Sequence, residues 1–382
     1  MEKEILFDVR NHIGFITLHR PSVLNVLSHG MIQQMDAQLR TWMDDDAIHA
    51  VLVRGAGDKA FCAGGDLRWL YDSFKTDSTW PEAYFVDEYA LDYYAHRYPK
   101  PYIAVLDGIV MGGGMGIGQG SCLRIVGDKT RFAMPETGIG LFPDVGASHF
   151  LSVMQTQLAL YLGVTGRAIP AADALYCGLA DVYLPPAALA NLDPLLGAIK
   201  WGHDHRSDIS NTILALGVTQ LPDPPLLNVL SAISGHFGNP SIGAIMESLG
   251  SETRAEYRDW AQKTLTVMKK CSPLMMCVTR RQLLTGRRLE LADCFRMELG
   301  LVRQSFERGD FIEGIRARII DKDSDPRWNP ARPEDVSQAM IDMFFRDPWS
   351  GKRHPLADLG VPRSPGPHAG APELERKVDV IY

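Results

Sequence analysis

Three stretches of this chain carry the residue types from which a carbonyl-activating site can be built. Residues 61–67 read FCAGGDL, residues 111–118 read MGGGMGIG, and residues 133–146 read AMPETGIGLFPDVG. The first two are glycine turns. Without side chains, the backbone can approach a ligand closely and present bare N–H groups to a developing negative charge. The third holds two carboxylates, Glu136 and Asp144, eight residues apart. Ile139, Leu141 and Phe142 lie between them, so both carboxylates are expected to border an apolar pocket. A low-dielectric setting raises a carboxylate pKa into the range useful for acid–base work. Oxyanion donors combined with such carboxylates suit chemistry at a polarised carbonyl.

Each piece also has a plainer reading. Gly112, Gly113 and Gly114 could simply allow a buried helix to pack closely. Gly64 and Gly65 could form a strand-to-helix turn in which Asp66 caps the helix. Glu136, after Pro135, could be a first-turn acid at the positive end of a helix, and Asp144, after Pro143, an ordinary turn residue. The coincidence of two such glycine turns with two carboxylates favours a site.

Other chemistries find no support. Residues 108–121 contain no GxGxxG, and no GxxxxGK, HExxH or GxSxG occurs. No metal site is expected from the histidines. Cys62 lies in a glycine turn, but no partner histidine is identifiable.

The elements that must position these residues read as α/β. Residues 14–19, 50–55, 102–108 and 122–127 are apolar runs that predict strands. Between the first two, Ser28 caps a predicted helix with Met31, Ile32, Met35, Leu39 and Trp42 at helical spacing. Phe150, Leu151, Met154, Leu158, Tyr161 and Leu162 predict a helix after Asp144. Residues 71–100 read as a helical insertion. Patterning weakens over 185–250, and beyond that the chain reads as helical, with Ser272–Pro273 as a start and Phe295, Leu299, Val302 and Phe306 as an apolar stripe.

The chain has 382 residues, 46% hydrophobic and 22% charged, with a net charge of −7. This acidic balance argues against nucleic-acid partners, and no apolar run is long enough to span a membrane. The six cysteines are scattered, with no CxxC pair. They read as reduced core residues, and with the leaderless start MEKEILFDVR they lead to an expectation of cytoplasmic location.

FCAGGDL, MGGGMGIG and PETGIGLFPDVG together resemble the crotonase (enoyl-CoA hydratase/isomerase) superfamily, and more closely its 3-hydroxyisobutyryl-CoA hydrolase branch. Residues 165–181, 271–286 and 308–330 resemble that branch as well. The likeness runs from about residue 5 to 345 and thins between 185 and 250. It implies an α/β fold, a spiral of repeated ββα units with an α-helical C-terminal region. The expected division is a core at 1–200, a mainly helical region at 201–350 and a loosely ordered Pro/Gly-rich tail at 351–382.

The resemblance implies roles residue by residue. The N–H groups of Gly65 and Gly113 form an oxyanion hole, Glu136 is the catalytic glutamate and Asp144 its partner. Glu88, with Ala63, Asp66, Leu67 and Gly112, binds substrate. The implied reaction is hydrolysis of a short β-hydroxyacyl-CoA, foremost 3-hydroxyisobutyryl-CoA, a step of valine catabolism. CoA belongs to the substrate, so no separate cofactor is expected. Whether the chain forms a homo-oligomer is left open: superfamily members often form trimers or dimers of trimers, while an appended helical region could cover those faces. An enoyl-CoA isomerase using Glu136 alone, or an inactive acyl-CoA-binding relative, are the alternatives. Two departures stand out. Gly116 occupies the place where enoyl-CoA hydratases carry their first catalytic glutamate. Ala147–Ser148 replace residues that tend to be glycine in the hydrolase branch.

Overall fold

The computed structural model describes residues 3–77, 80–217 and 223–361. Strands β1 (Ile5–Arg10) and β2 (Ile13–Leu18) form an antiparallel hairpin. Asn11 and His12 at its tip both have positive φ, 47° and 63°, as a two-residue hairpin turn requires. β1 gives no clear apolar pattern in the sequence because it is an edge strand on which only Ile5 is buried. Helix α1 (His29–Met43) starts at Ser28, whose Oγ accepts the Met31 N–H, and all five apolar positions of its predicted face are buried.

From there the chain winds as a spiral. Each turn lays one strand in a six-stranded sheet and the next in a smaller one. The pairs are β3 (Ala50–Gly55) with β4 (Ala60–Cys62), β5 (Tyr102–Val105) with β6 (Ile109–Met111), and β7 (Leu123–Val126) with β8 (Arg131–Ala133). Two short strands, β9 (Ile169–Pro170) and β10 (Val182–Tyr183), close the edges. The large sheet has the order β1-β2-β3-β5-β7-β10 and the small one β4-β6-β8-β9. The four strands predicted from sequence are the four inner strands of the large sheet. The three-residue strands of the small sheet are too short to show a period.

Helices α2 (Leu67–Asp77) and α3 (Glu82–His96) form the insertion, and α4 (Gly113–Gln119) follows the second glycine turn. The single helix expected over Phe150–Leu162 is instead two, α5 (Ala147–Phe150) and α6 (Thr156–Thr165). The break comes where Ser152 turns its hydroxyl back onto the His149 carbonyl. α6 is buried from Leu158 to Thr165 and lies so close to a later helix that a Cβ on Gly163 would sit 2.8 Å from Leu283 Cδ1.

The remaining chain is helical. It contains α7 (Ala171–Tyr176), α8 (Pro186–Ala190), α9 (Leu192–Gly197), α10 (His205–Leu214), α11 (Leu230–Phe237) and α12 (Ile242–Gly250). Next come α13 (Ala255–Met268), α14 (Pro273–Gly286), α15 (Leu291–Arg308), α16 (Phe311–Ile315) and α17 (Gln338–Phe344). A π turn, Arg316–Ile320, extends α16. Ser272 caps α14 as expected, its Oγ accepting the Met275 N–H.

Alternation along the strands splits the core in two. Ile16, Leu18, Val51, Val53 and Ala104 face one apolar cluster that runs on through α14 and α15. Phe15, Leu52, Ile103 and Ile125 face a second, closed by Leu192, Leu196, Ile209 and Ile213. The weakly patterned stretch after residue 185 thus supplies α9 and α10 to cover the back of the sheet. The beginning of the tail is packed rather than loose, since Leu356 is buried and Arg296 donates to its carbonyl. The rest of the expected tail, 362–382, lies outside the described residues. Among those described, no helix is long and apolar enough to cross a membrane.

Phe295 is fully buried, with its ring 5.6 Å from that of Tyr89. Phe295→Ala is expected to cost about 3–5 kcal/mol in a urea melt. Truncating the exposed Leu227 should change stability by no more than about 0.5 kcal/mol.

Candidate active site

β4, β6 and β8 run parallel in the small sheet, so their C-terminal ends share one edge. Ligands of α/β sheets bind at such edges. Here the three ends lead into Gly64–Gly65, Gly112–Gly113 and Glu136. Gly64 and Gly112 have φ of +111° and +50°, a region side chains rarely tolerate. A Cβ on Gly64 would lie 3.4 Å from the Met111 carbonyl oxygen and 3.8 Å from the Gly113 nitrogen. One on Gly112 would lie 3.2 Å from Glu136 Oε1. The two turns and the carboxylate are therefore in contact.

Hydrogen bonds hold the first turn without using all of its donors. The Leu27 N–H bonds the Gly64 carbonyl, and the Asp66 N–H bonds the Leu27 carbonyl. Gly113 opens α4, so its N–H has no partner within the helix. Among the described residues, neither the Gly65 nor the Gly113 N–H donates to a protein acceptor. Both glycines line a cavity of about 590 Å³ together with Ala63, Leu67, Gly112, Glu88, Glu136 and Asp144. Asp66 departs from the expected set. Its carboxylate accepts the Trp69 N–H at the start of α2 and pairs with Arg20, and it does not line the cavity.

Glu136 and Asp144 are each only 5% exposed. Burial, and then the neighbouring Asp144, hold the Glu136 carboxyl well above its ordinary range, and its Oε2 is buried without a partner. Burial pushes Asp144 up to about 6, against the hydrogen bond it accepts from the Tyr89 hydroxyl at 2.7 Å. Glu88 is raised by burial and by Asp144, and its Oε1 is also unpartnered. That oxygen would be 2.5 Å from a Cβ on Gly113, so Glu88 stands beside the second turn. Burial holds the Cys62 thiol up at about 12, out of reach of thiolate chemistry near neutrality.

Asp144 is aimed by groups far along the chain. Val145, after it, adopts a left-handed φ of 52°. Glu298 on α15 accepts the Gly146 N–H at 2.7 Å and the Ser148 N–H at 2.8 Å, pinning the loop. Gln282 on α14 donates to the Pro143 carbonyl and to Ser148 Oγ. Ser148, a departure from the expected glycines, thus becomes an anchor. On the other side, the Ser272 N–H bonds the Thr137 carbonyl, tying α14 to the Glu136 turn.

A profile of the enoyl-CoA hydratase/isomerase family matches residues 13–345. The chain belongs to that family. Two curated relatives in it are 3-hydroxyisobutyryl-CoA hydrolases. The mitochondrial protein of Gallus gallus is 37% identical, covering 90% of this chain and 89% of its own. A probable 3-hydroxyisobutyryl-CoA hydrolase of Arabidopsis thaliana is 35% identical, covering 90% and 92%. Solved structures agree in fold. A carnitinyl-CoA dehydratase from Mycobacterium thermoresistibile superposes with a TM-score of 0.83 at 34% identity, covering 91% of this chain and 98% of its own. An enoyl-CoA hydratase from Rhodobacter sphaeroides 2.4.1 gives 0.81 at 31%, covering 90% and 97%. The architecture is the crotonase spiral of ββα units with a helical C-terminal region.

Within this family frame, the sequence did not reveal Tyr89, Asp92, Gln282 or Glu298. Only Glu298 left a trace, as a charged residue one turn beyond Phe295 on a helix whose apolar stripe is buried. Asp92 is fully buried with both oxygens unpartnered. A Cβ on Gly116 would lie 2.5 Å from Asp92 Oδ2, so α3 supplies a carboxyl where α4 has none. Asp92 does not line the cavity.

Glu88, Asp92, Glu136, Asp144 and Glu298 are all raised above their ordinary values, foremost by burial, with Glu298 at about 8. Between about pH 4, where these groups ionise in the unfolded chain, and their raised folded values, the folded chain binds more protons. Stability should therefore fall as pH rises from 5 to 8, read as a falling melting temperature. Asp92→Asn should flatten that fall, because one carboxyl no longer titrates in the window.

Proposed function

We propose that this chain hydrolyses a short β-hydroxyacyl-CoA thioester, 3-hydroxyisobutyryl-CoA foremost, as in valine catabolism. The observation that carries the reading is Glu136 in contact with the Gly112 turn, beside two unbonded glycine amides, in one cavity. In this reading the Gly65 and Gly113 N–H groups hold the thioester oxygen as negative charge develops on it. Single donors of this kind are worth about 10²–10³ in rate. The curated hydrolases support the reaction class, since they align over most of the chain.

The acyl C–S bond breaks and a C–O bond to a water-derived oxygen forms. CoA leaves as the thiol, with its proton derived from the water. Glu136 either attacks the acyl carbon, giving an anhydride that water then opens, or takes the proton from the attacking water. Both routes need the carboxylate form, and both regenerate it. Asp144, steadied by Tyr89, orients the water or the substrate hydroxyl. Glu88 hydrogen-bonds the β-hydroxyl and so disfavours plain acyl chains. Lys270 and Arg318 line the same cavity from the helical region and suit the phosphates of CoA. A two-glutamate hydration is disfavoured, because residue 116 is glycine and the neighbouring Asp92 lies outside the cavity.

Cys62, Cys177, Cys271 and Cys294 are buried, which fits their reading as core residues. Cytoplasmic location stays part of the proposal, although the vertebrate relatives carry the word mitochondrial in their names. Association of several copies belongs to the proposal too.

Purified protein with 3-hydroxyisobutyryl-CoA should release free thiol. Silence there, with double-bond migration on a 3-enoyl-CoA, would establish the isomerase instead. Glu136→Gln should lower turnover by about 10³-fold or more while CoA binding, followed by calorimetry, persists. Glu88→Gln should narrow the preference for 3-hydroxyisobutyryl-CoA over isobutyryl-CoA by about tenfold.

A further inference from the structure

A second cavity, of about 440 Å³, opens among α12, α14 and α17. Cys277, Arg280, Arg281, Leu284, Thr285 and Arg288 reach it from α14 and the turn that follows. Their spacing of three, one, three, one and three residues defines one helix face. Thr279, Gln282, Leu283 and Gly286 are buried, so α14 turns a separate face to the core, where Gln282 holds the Pro143 carbonyl and Ser148. The second cavity is thus lined by residues that the proposed reaction does not use.

Its charge is one-sided. Three guanidinium groups line it, and no lining residue is acidic. Arg281 is neutralised by Asp342, which also accepts from Gln338, and rests over the Phe345 ring at 4.2 Å. Among the described residues, Arg280 and Arg288 have no ion pair and no side-chain hydrogen bond, and Arg280 Nε is buried without an acceptor. Glu334 is another nearby acid, and Glu290 follows the lining residue Leu289. Glu334 Oε1 would be 3.7 Å from a Cβ on Gly243, on the α12 side. The N-terminus of α12 adds its partial positive charge to the same space, Ser241 and Ile242 being in the wall. Pro240, Ile242, Leu284, Leu289 and Ile341 supply apolar wall, beside the polar Ser241, Thr285 and Gln338.

A guanidinium nitrogen buried without an acceptor is costly unless something fills its bonding position. Guanidinium groups match carboxylate and phosphate oxygens in a planar, two-pronged geometry. A volume of this size is ordinary for a small-molecule pocket. We infer that this cavity is a second ligand site, taking a small organic anion in which a carboxylate or phosphate head sits on a compact apolar body. The head meets Arg280 and Arg288, and the body lies against Ile242, Leu284 and Ile341.

Inorganic phosphate and isobutyrate are the probes, titrated separately into the full chain by NMR or calorimetry. The comparison is with the double variant Arg280→Gln, Arg288→Gln. At least one probe should saturate the unaltered protein at one site, with a Kd in the millimolar range or below. The double variant should bind it at least about tenfold more weakly, because two charge-assisted contacts are lost. Its melting temperature and its thioester turnover should be unchanged. Which probe binds identifies the head group. If neither saturates, or if the double variant binds equally well, the site does not exist. Loss of thioester turnover in the unaltered protein bears on the proposed reaction alone and leaves this test intact.

Discussion

Five carboxyl groups are buried around two short stretches of backbone, Gly112–Gly116 and Asp144–Ser148, and among the described residues none of them has a cation as partner. Removing a carboxylate from water without a partner is expensive, and proteins avoid the cost by neutralising the group or by surrounding it with donors. Both solutions occur here. Glu298 is met by two backbone N–H groups and Asp144 by a tyrosine hydroxyl, whereas Glu88, Asp92 and Glu136 keep unpartnered oxygens. Glu136 and Glu88 face the cavity, and Asp92 does not. The groups left incompletely satisfied at the cavity are those a substrate would complete.

The fold explains how such a cluster is kept. Three parallel strands of the small sheet deliver the two glycine turns and Glu136 to one edge, so these parts are fixed by strand register. Asp144 lies on a loop with a left-handed valine, a conformation that persists only when its surroundings hold it. Those surroundings are α14 and α15, through Gln282, Glu298 and the ring of Phe295 against Gly146. The helical region is therefore structural support for the site as well as part of the cavity wall.

α14 carries two distinct surfaces. One, with Gln282 and the Ser272 cap, supports the Glu136 and Asp144 loops of the first cavity. The other offers two unpaired guanidinium groups to a pocket that the proposed reaction does not need. Spacing along the helix separates them, since residues three and four apart share a face.

The sequence by itself determined the inner strands, the capped helices α1 and α14, the two glycine turns and the setting of Glu136 and Asp144 on one apolar-walled cavity. These are local features, carried by periodicity, cap chemistry and residue type. The short strands of the small sheet escaped because three residues hold no period, and β1 because an edge strand need not be apolar. Asp66 carried two readings, a cap and a ligand contact, because both call for the same residue at the same place; its bonds to the Trp69 N–H and to Arg20 show the cap. Only the tertiary structure decided that Glu298, over 150 residues from Gly146, holds the Asp144 loop, and that Asp92 fills the space beside Gly116. A hydrogen bond between distant segments leaves no spacing to read. It exists once packing has brought the backbone donors and the buried carboxylate together.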